Sequence, residues 1–150
     1  MPTASDAPTP VRFRLQAVGV EQYATASLAG EDYFAVNDLS VAYEFELLPS
    51  NRLITSFPRF SFLDDEGKEA VILQAKVQFD VHEEDWPTLF REDESIALPV
   101  YLLQHLAVIA TGFARGVLHE KLSREKGYER VMLPIIPVVD YITEELIFAA

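Results

Sequence analysis

The residues best suited to acid–base or metal chemistry in this chain surround His82. The run that follows it, residues 83–85, is Glu-Glu-Asp, and such side chains bind divalent cations and transfer protons. No second histidine stands at ligand spacing, and His105 and His119 are too far apart along a helix to bind one ion. We therefore interpret the acidic run as a solvated turn after a strand, and we predict no metal site.

No catalytic motif accompanies these histidines. The sequence has no G-x-S-x-G nucleophile elbow, no P-loop, no G-x-G-x-x-G and no cysteine. These absences disfavour an enzyme, and we predict no catalytic residue and no cofactor. An enzyme in which His82 or His105 works with neighbouring carboxylates is kept as the weakest alternative.

Aromatic and large aliphatic residues outside a clean alternation are more informative. They cluster around Pro58 and again after the last long strand, and an exposed apolar groove in a soluble protein marks a site for another chain. The predicted polypeptide-binding residues are Phe57, Phe60, Phe62, Trp86, Leu89 and Phe90. Simple core packing is the equally weighted alternative for the same residues.

The charge balance limits the kinds of partner. Among 150 residues, 24 Asp and Glu stand against 12 Lys and Arg, a net charge of −12. Binding to a phosphate backbone needs clustered Lys and Arg, so we predict no nucleic-acid partner. A strongly acidic surface instead favours solubility and basic polypeptide partners.

Alternating apolar residues predict four strands joined by short connections. The runs begin at Val11, Leu39, Leu53 and Val71, and the residues from Gly19 to Asp38 are interpreted as a turn-rich connection. In the third run the apolar parity switches across Pro58, which predicts an edge or a bulge there. Four such strands form an antiparallel sheet with one apolar face that must be covered.

A long helix from Pro99 to about Lys126 is the predicted cover. Gly127 follows it as a left-handed cap. No Asp, Glu, Lys or Arg occurs from Ile96 to Ala114, but Pro99 and the adjacent Gln104 and His105 disfavour a membrane span.

Small residues on this helix form a flat strip. Val108, Gly112 and Gly116 are the predicted oligomer interface, with close packing inside the monomer as the alternative. The helix is apolar nearly all round, which favours burial both on its own sheet and on a partner subunit.

The two ends of the chain complete an α+β fold of one domain, residues 11–150. We interpret residues 1–10 as a loose tail. They lack the pattern of a secretory signal, so we expect a cytoplasmic protein. Residues 131–139, with two prolines, predict an extended apolar segment, and Asp140 is expected to cap a short helix from Tyr141 to Phe148.

This order of elements resembles the SecB family of protein-export chaperones. The resemblance is carried by Ala114, Arg115 and Gly116 in the long helix, by the Leu-Pro-Ile-Ile run of residues 133–136, and by Asp140. It covers roughly Val11 to Ile147. The chain departs from the family at residues 99–102, where SecB has Pro-Tyr-Ala-Arg.

The resemblance implies an ATP-independent holdase, a dimer of dimers that holds non-native polypeptides in hydrophobic grooves. Its clients would be nascent or unfolded export substrates, or one dedicated client such as an antitoxin, with SecA as a further partner. The chain ends at Ala150 without the long tail by which SecB docks SecA, so SecA coupling is the least expected of these properties. The alternative function is an interaction module that assembles one fixed complex through its long helix.

Overall fold

The computed structural model describes residues 10–28, residue 30 and residues 32–149. The predicted tail therefore lies outside the described residues except for Pro10. The fold is α+β: a four-stranded antiparallel sheet, one long helix and a short C-terminal helix. The elements are β1 (Phe13–Thr25), β2 (Asp38–Leu48), β3 (Leu53–Leu63), β4 (Glu69–Val81), β5 (Ile96–Leu98), α1 (Val100–Leu122), α2 (Val138–Tyr141) and β6 (Leu146–Phe148).

The strand order of the main sheet is β1-β4-β3-β2, so β1 and β2 are the edges. Helix α1 packs on one face, here called the helix-side face, and the other is called the open face. In β4 every second residue from Val71 to Val81 is completely buried on the helix-side face. This confirms the most regular alternation in the sequence, and the matching alternation of β2 is also observed.

Strand β1 is longer than predicted. Residues 19–25 continue the strand instead of forming a connection, and two register shifts against β4, after Leu15 and after Val20, explain why the alternation was lost. Each bulge adds one unpaired residue and moves the following side chains to the other face. As a result Val18 and Val20 point to the helix-side face, whereas Ala17 pairs with Gln78 on the open face.

The prediction of an edge or bulge at Pro58 was wrong. β3 is an inner strand, and its register with β4 is the same on both sides of Phe57 and Pro58, from the Ser56–Val77 pair to the Arg59–Gln74 pair. Even-numbered residues face the helix throughout this strand. Phe57 is an apolar residue on the open face. In the sequence this makes the alternation look as if it changed faces at Pro58, although the strand is regular there.

Helix α1 begins after Pro99 and ends at Leu122, four residues earlier than predicted. Nine of its residues are buried against the sheet. Gly127 adopts the left-handed conformation that was expected, with φ +93°. By length and composition alone α1 is able to cross a membrane, a property that a core helix shares.

The C-terminal helix differs from the predicted one. α2 is a single turn over residues 138–141, and the stretch predicted to be helical contains β6, which pairs with β5 in a separate two-stranded sheet. Ile147 and Leu146 are paired with Ala97 and Leu98. Because the two strands lie about 50 residues apart, no local sequence pattern indicates that they pair.

Candidate functional site: two exposed apolar surfaces

Three of the six predicted polypeptide-binding residues are in the core. Phe60, Phe62 and Leu89 are 0%, 1% and 5% exposed, so the predicted groove of these residues is not present in this conformation. Phe60 and Phe62 lie on the helix-side face of β3, and Leu89 is buried in the turn after β4, so core packing, the alternative that the sequence left open, is observed for these three residues. Aromatic side chains of this size are among the largest contributors to a core, and burial satisfies their hydrophobicity without a partner.

The other three predicted residues reach the surface at two separate places. Trp86 is half-buried in the loop after β4 and contacts Phe90 edge-to-face, with ring centroids 5.5 Å apart. Phe90 is 40% exposed. Phe57 lies half-buried on the open face, in a shallow pocket with Glu21, Gln22, Glu44, Glu46 and Gln74.

A larger exposed apolar area lies between β1 and α1. Phe13 and His105 contact each other edge-to-face with centroids 5.1 Å apart, and Lys121 Nζ lies 4.9 Å from the centre of the Tyr23 ring. β1 and α1 therefore run side by side in the same direction. The residues between these two contacts are the β1–helix surface: Leu15, Val18, Val20, Val108, Gly112 and Gly116.

The β1–helix surface is open although it is apolar. Leu15 is 54% exposed and Val108 56% exposed. A β-carbon built on Gly112 or Gly116 would meet nothing within 4 Å. No element of the described chain packs closely on the two glycines. The alternative prediction, that this strip packs closely inside the monomer, is therefore not supported by any contact at the glycines. The surface remains available to another chain.

A second exposed apolar area lies at the opposite edge of the sheet, where the C-terminal segment (residues 131–142) runs along α1. Arg115 joins the two stretches that carry the family resemblance: its Nε donates to the carbonyl of Leu133 (3.3 Å) and its Nη2 to the carbonyl of Pro134 (2.9 Å). Gln104 Nε2 donates to the carbonyl of Ile142 over 2.8 Å. The segment is thus held antiparallel to α1 by side chains.

Tyr43 connects this segment to β2. Its ring lies 6.1 Å from that of Tyr141 and its hydroxyl is 2.6 Å from Thr111 Oγ1. Because the Thr111 hydroxyl donates to the carbonyl of Ala107, the Tyr43 hydroxyl donates to Thr111. Burial raises the pKa of Tyr43, which keeps the hydroxyl protonated as this hydrogen bond requires.

What we call the C-terminal surface consists of the half-buried Tyr43 and the exposed residues Ile135, Val139 and Tyr141. Ile135 is 92% exposed and Val139 60% exposed. The helix-side residues of β2 next to it, from Leu39 to Leu47, are only half-buried. Sequence reasoning described residues 131–139 as an extended apolar segment but did not assign binding to them, because pattern alone does not show which side of such a segment is covered.

The acidic run after β4 is occupied by internal contacts. Arg12 bonds to both Glu84 and Asp85, and the side-chain and backbone hydrogen bonds that Asp85 accepts from Arg12 lower the pKa of Asp85 to about 2. The Nδ1 atom of His82 accepts a hydrogen bond from the backbone N–H of Glu84 (3.2 Å). Within residues 10–28, 30 and 32–149, no group of three or more His, Asp or Glu side chains is arranged to hold a metal ion.

The same end of the sheet has an open pocket that contains three arginines. Arg12 is paired as above, Arg14 pairs with Asp80 at 3.0 Å, and Arg52 Nε donates to the carbonyl of Val81 at 3.1 Å. The lining also contains three carboxylates, those of Asp80, Glu83 and Glu84, which balance the three guanidinium groups. The pocket has no excess positive charge with which to attract an anion.

Comparisons with known proteins give a distant structural likeness. No family model matches the chain, and no curated protein sequence matches it. Among solved structures, the chain is similar to a protein of unknown function from Streptococcus agalactiae, with 16% sequence identity and a TM-score of 0.42. That match covers 85% of this chain and 100% of the other.

Proposed function

We propose that this chain is an ATP-independent holdase that binds non-native polypeptides on its C-terminal surface and associates with copies of itself through the β1–helix surface. The proposal is supported most by one observation: large apolar side chains stay exposed on both sides of α1, although the helix-side residues of the inner strand β4 are completely buried. A soluble protein rarely leaves such patches without a partner.

The chemistry of the two surfaces differs in a way that suits two kinds of partner. The β1–helix surface is flat at its glycines, which allows a rigid, close contact such as that between identical helices. The C-terminal surface consists of separate protruding side chains, Ile135 and Val139 among them, on a backbone with little regular structure. Protruding side chains can contact many different apolar sequences, as a client surface must.

The charge of the molecule supports the same proposal. A net charge of −12 keeps a complex with an apolar client soluble and attracts clients with a basic character. Burial of client side chains on the C-terminal surface would supply the affinity at roughly 25 cal/mol per Å². No nucleotide is required for binding of this kind.

The test is light scattering during dilution of a chemically unfolded, slowly refolding protein, without ATP. The wild-type chain is expected to suppress scattering near stoichiometric ratios. The double variant Ile135→Ser/Val139→Ser should lose most of this effect, since both side chains are exposed and their replacement costs the fold little. Leu15→Ser, a matched change at the opposite edge of the sheet, is expected to retain client binding per chain.

The interaction module is the second candidate, and the openness of the β1–helix surface favours it. In that case the chain binds one folded partner tightly and ignores unfolded proteins. Unaffected scattering with several clients, together with capture of one folded protein through Val108 and its neighbours, would replace the holdase proposal with this one.

A further inference from the structure

The two edges of the main sheet differ. β1 has two bulges and a glycine, Gly19, in its middle, devices that commonly prevent a further strand from pairing with an edge. β2 pairs with β3 over 11 consecutive residues without a register shift. Neither a proline nor a lysine occurs from Asp38 to Leu48. Among the described residues, no backbone hydrogen bond reaches the other side of β2.

The side chains of β2 alternate in chemistry as well as in direction. Val41, Tyr43 and Phe45 point to the helix-side face and are half-buried, next to the C-terminal surface. On the open face Glu44 and Glu46 are exposed and line the pocket around Phe57 with Glu21. A strand laid beside β2 would therefore place its side chains alternately against apolar groups and against carboxylates.

We propose that β2 binds the client by strand addition: an extended polypeptide segment with apolar and basic residues in alternation pairs its backbone with the free edge of β2. Its apolar side chains extend the row of Val41, Tyr43 and Phe45 toward the C-terminal surface. Its Lys or Arg side chains contact Glu44 and Glu46. This inference rests on the proposed function and adds to it the backbone geometry of the bound client and the sequence pattern that is preferred.

Charge complementarity favours a basic polypeptide over a second copy of this chain at the free edge of β2. A second copy of this chain, paired through its own β2, would bring Glu44 and Glu46 of both copies together across the new pair, and like charges opposite each other destabilise a sheet. A basic segment meets the same carboxylates with opposite charge. Main-chain hydrogen bonds give affinity in this mode, and the alternate side chains give specificity.

The test uses nonapeptides of alternating Leu and Arg, labelled for fluorescence anisotropy and added to the full chain. Alternate N–H groups of an extended peptide point to opposite sides of its backbone, so only one set pairs with β2. One peptide is N-methylated at three Leu residues and another at three Arg residues. Strand addition predicts that one of them loses at least about tenfold in affinity while the other stays within about twofold of the parent.

A charge exchange tests the side-chain part. Glu44→Lys/Glu46→Lys is expected to lower the affinity for the Leu/Arg peptide at least about tenfold. The same variant is expected to bind a Leu/Glu peptide instead. Glu66→Lys/Glu92→Lys, with the same charge change on exposed loop residues, is the matched control and should change both affinities less than about twofold. The measurements are made at one salt concentration.

The outcomes separate this inference from the proposed function. If unfolded clients are still held but the two N-methylated peptides bind equally, strand addition is overturned and the holdase stands. If the chain dimerises through β2, so that Glu44→Lys/Glu46→Lys changes its mass and no peptide binds, a second copy is the occupant and the inference is wrong. If neither clients nor peptides bind, both proposals fall together.

Discussion

At the scale of single residues, Gly127 has the most demanding position among the described glycines. Its φ of +93° is one that residues with a β-carbon rarely adopt, and a β-carbon there would collide with Leu28 Cδ1 and lie 3.3 Å from the carbonyl oxygen of Asp32. Its own carbonyl accepts a hydrogen bond from the N–H of Phe34 over 2.7 Å. Gly127 therefore fixes the β1–β2 connection to the end of α1.

We expect Gly127→Ala to lower the free energy of unfolding by about 2–4 kcal/mol, from the positive φ and the displaced Leu28 together. Gly67→Ala is the matched control, because Gly67 has a φ of +78° but open space around it. It should cost only about 1 kcal/mol. Urea unfolding measures both, and equal losses would show that the contact with Leu28 contributes nothing.

The contact of Arg12 with Asp85 predicts a pH dependence. Hydrogen bonds from the side chain and backbone of Arg12 lower the pKa of Asp85 to about 2, below its ordinary value of 3.8. A carboxylate with a lowered pKa in the folded state stabilises the fold above the ordinary pKa, and this stabilisation is lost as the pH falls from 3.8 through about 2.

Asp85→Asn is thus expected to be less stable than the wild type at pH 7, with a difference that shrinks as the pH falls below 4. Urea unfolding at pH 7, 5 and 3 gives the three values. In an Arg12→Gln background the same substitution should show a much weaker pH dependence. A difference that stays constant down to pH 3 would mean that Arg12 does not hold this carboxylate in solution.

At the scale of elements, the exposed stripe of α1 is part of the surface proposed for self-association. We predict that Val108→Asp lowers the mass measured by light scattering on a size-exclusion column, because a charge is placed on an apolar contact. Val108 is 56% exposed, so the free energy of unfolding of the chain should change little.

Met132→Asp provides the comparison for this variant. Met132 is 68% exposed but lies outside the β1–helix surface, so the same change of charge there should leave the mass as it is. If the mass of Val108→Asp were unchanged, the β1–helix surface would not be an interface between copies.

Elements with one buried face and an unbroken register were predictable from the sequence. In β4 the period of two persists because each helix-side residue from Val71 to Val81 is covered by α1. The α+β class, the antiparallel sheet and the covering helix follow from this pattern and from the order of elements. The left-handed Gly127 was predictable because glycine tolerates a positive φ at no steric cost.

Features that depend on non-local pairing were not predictable. The bulges of β1 shift the period within the strand, and the pairing of β6 with β5 connects residues about 50 positions apart. For the same reason, the sequence predicted only in part which apolar residues reach the surface. Sequence shows that Phe60 and Ile135 are both apolar, but only the packing shows that Phe60 is buried and Ile135 exposed.

At the scale of the whole molecule, the described residues place one long helix on one face of the four-stranded sheet and no helix on the other. The exposed apolar surfaces lie toward the two edges of the sheet, and the open face has a row of polar and charged residues. The proposed interface between copies and the proposed client surface therefore lie in different places and can be occupied at the same time. The net charge of −12 acts on both, since it opposes association between copies and favours basic clients.

This charge predicts opposite salt dependences for the two kinds of contact. Between about 50 mM and 500 mM NaCl, capture of a basic unfolded client should weaken, while self-association should strengthen as the repulsion is screened. Capture of an uncharged apolar client should change little. Anisotropy and sedimentation at a series of salt concentrations measure both, and equal salt dependence for the basic and uncharged clients would show that charge plays no part in capture.

The way the C-terminal segment is held has a consequence for hydrogen exchange. Its carbonyls are tied to α1 by the side chains of Arg115 and Gln104, whereas Pro134 and Pro137 have no amide hydrogen and no described backbone bond protects the amides of residues 132, 133, 135 and 136. The amides of the exposed residues Met132 and Ile135 are expected to exchange fast, while the adjacent turns of α1 exchange only through larger unfolding events. Fast and slow exchange are thus expected side by side, in a segment whose Leu133 and Val138 side chains remain part of the core.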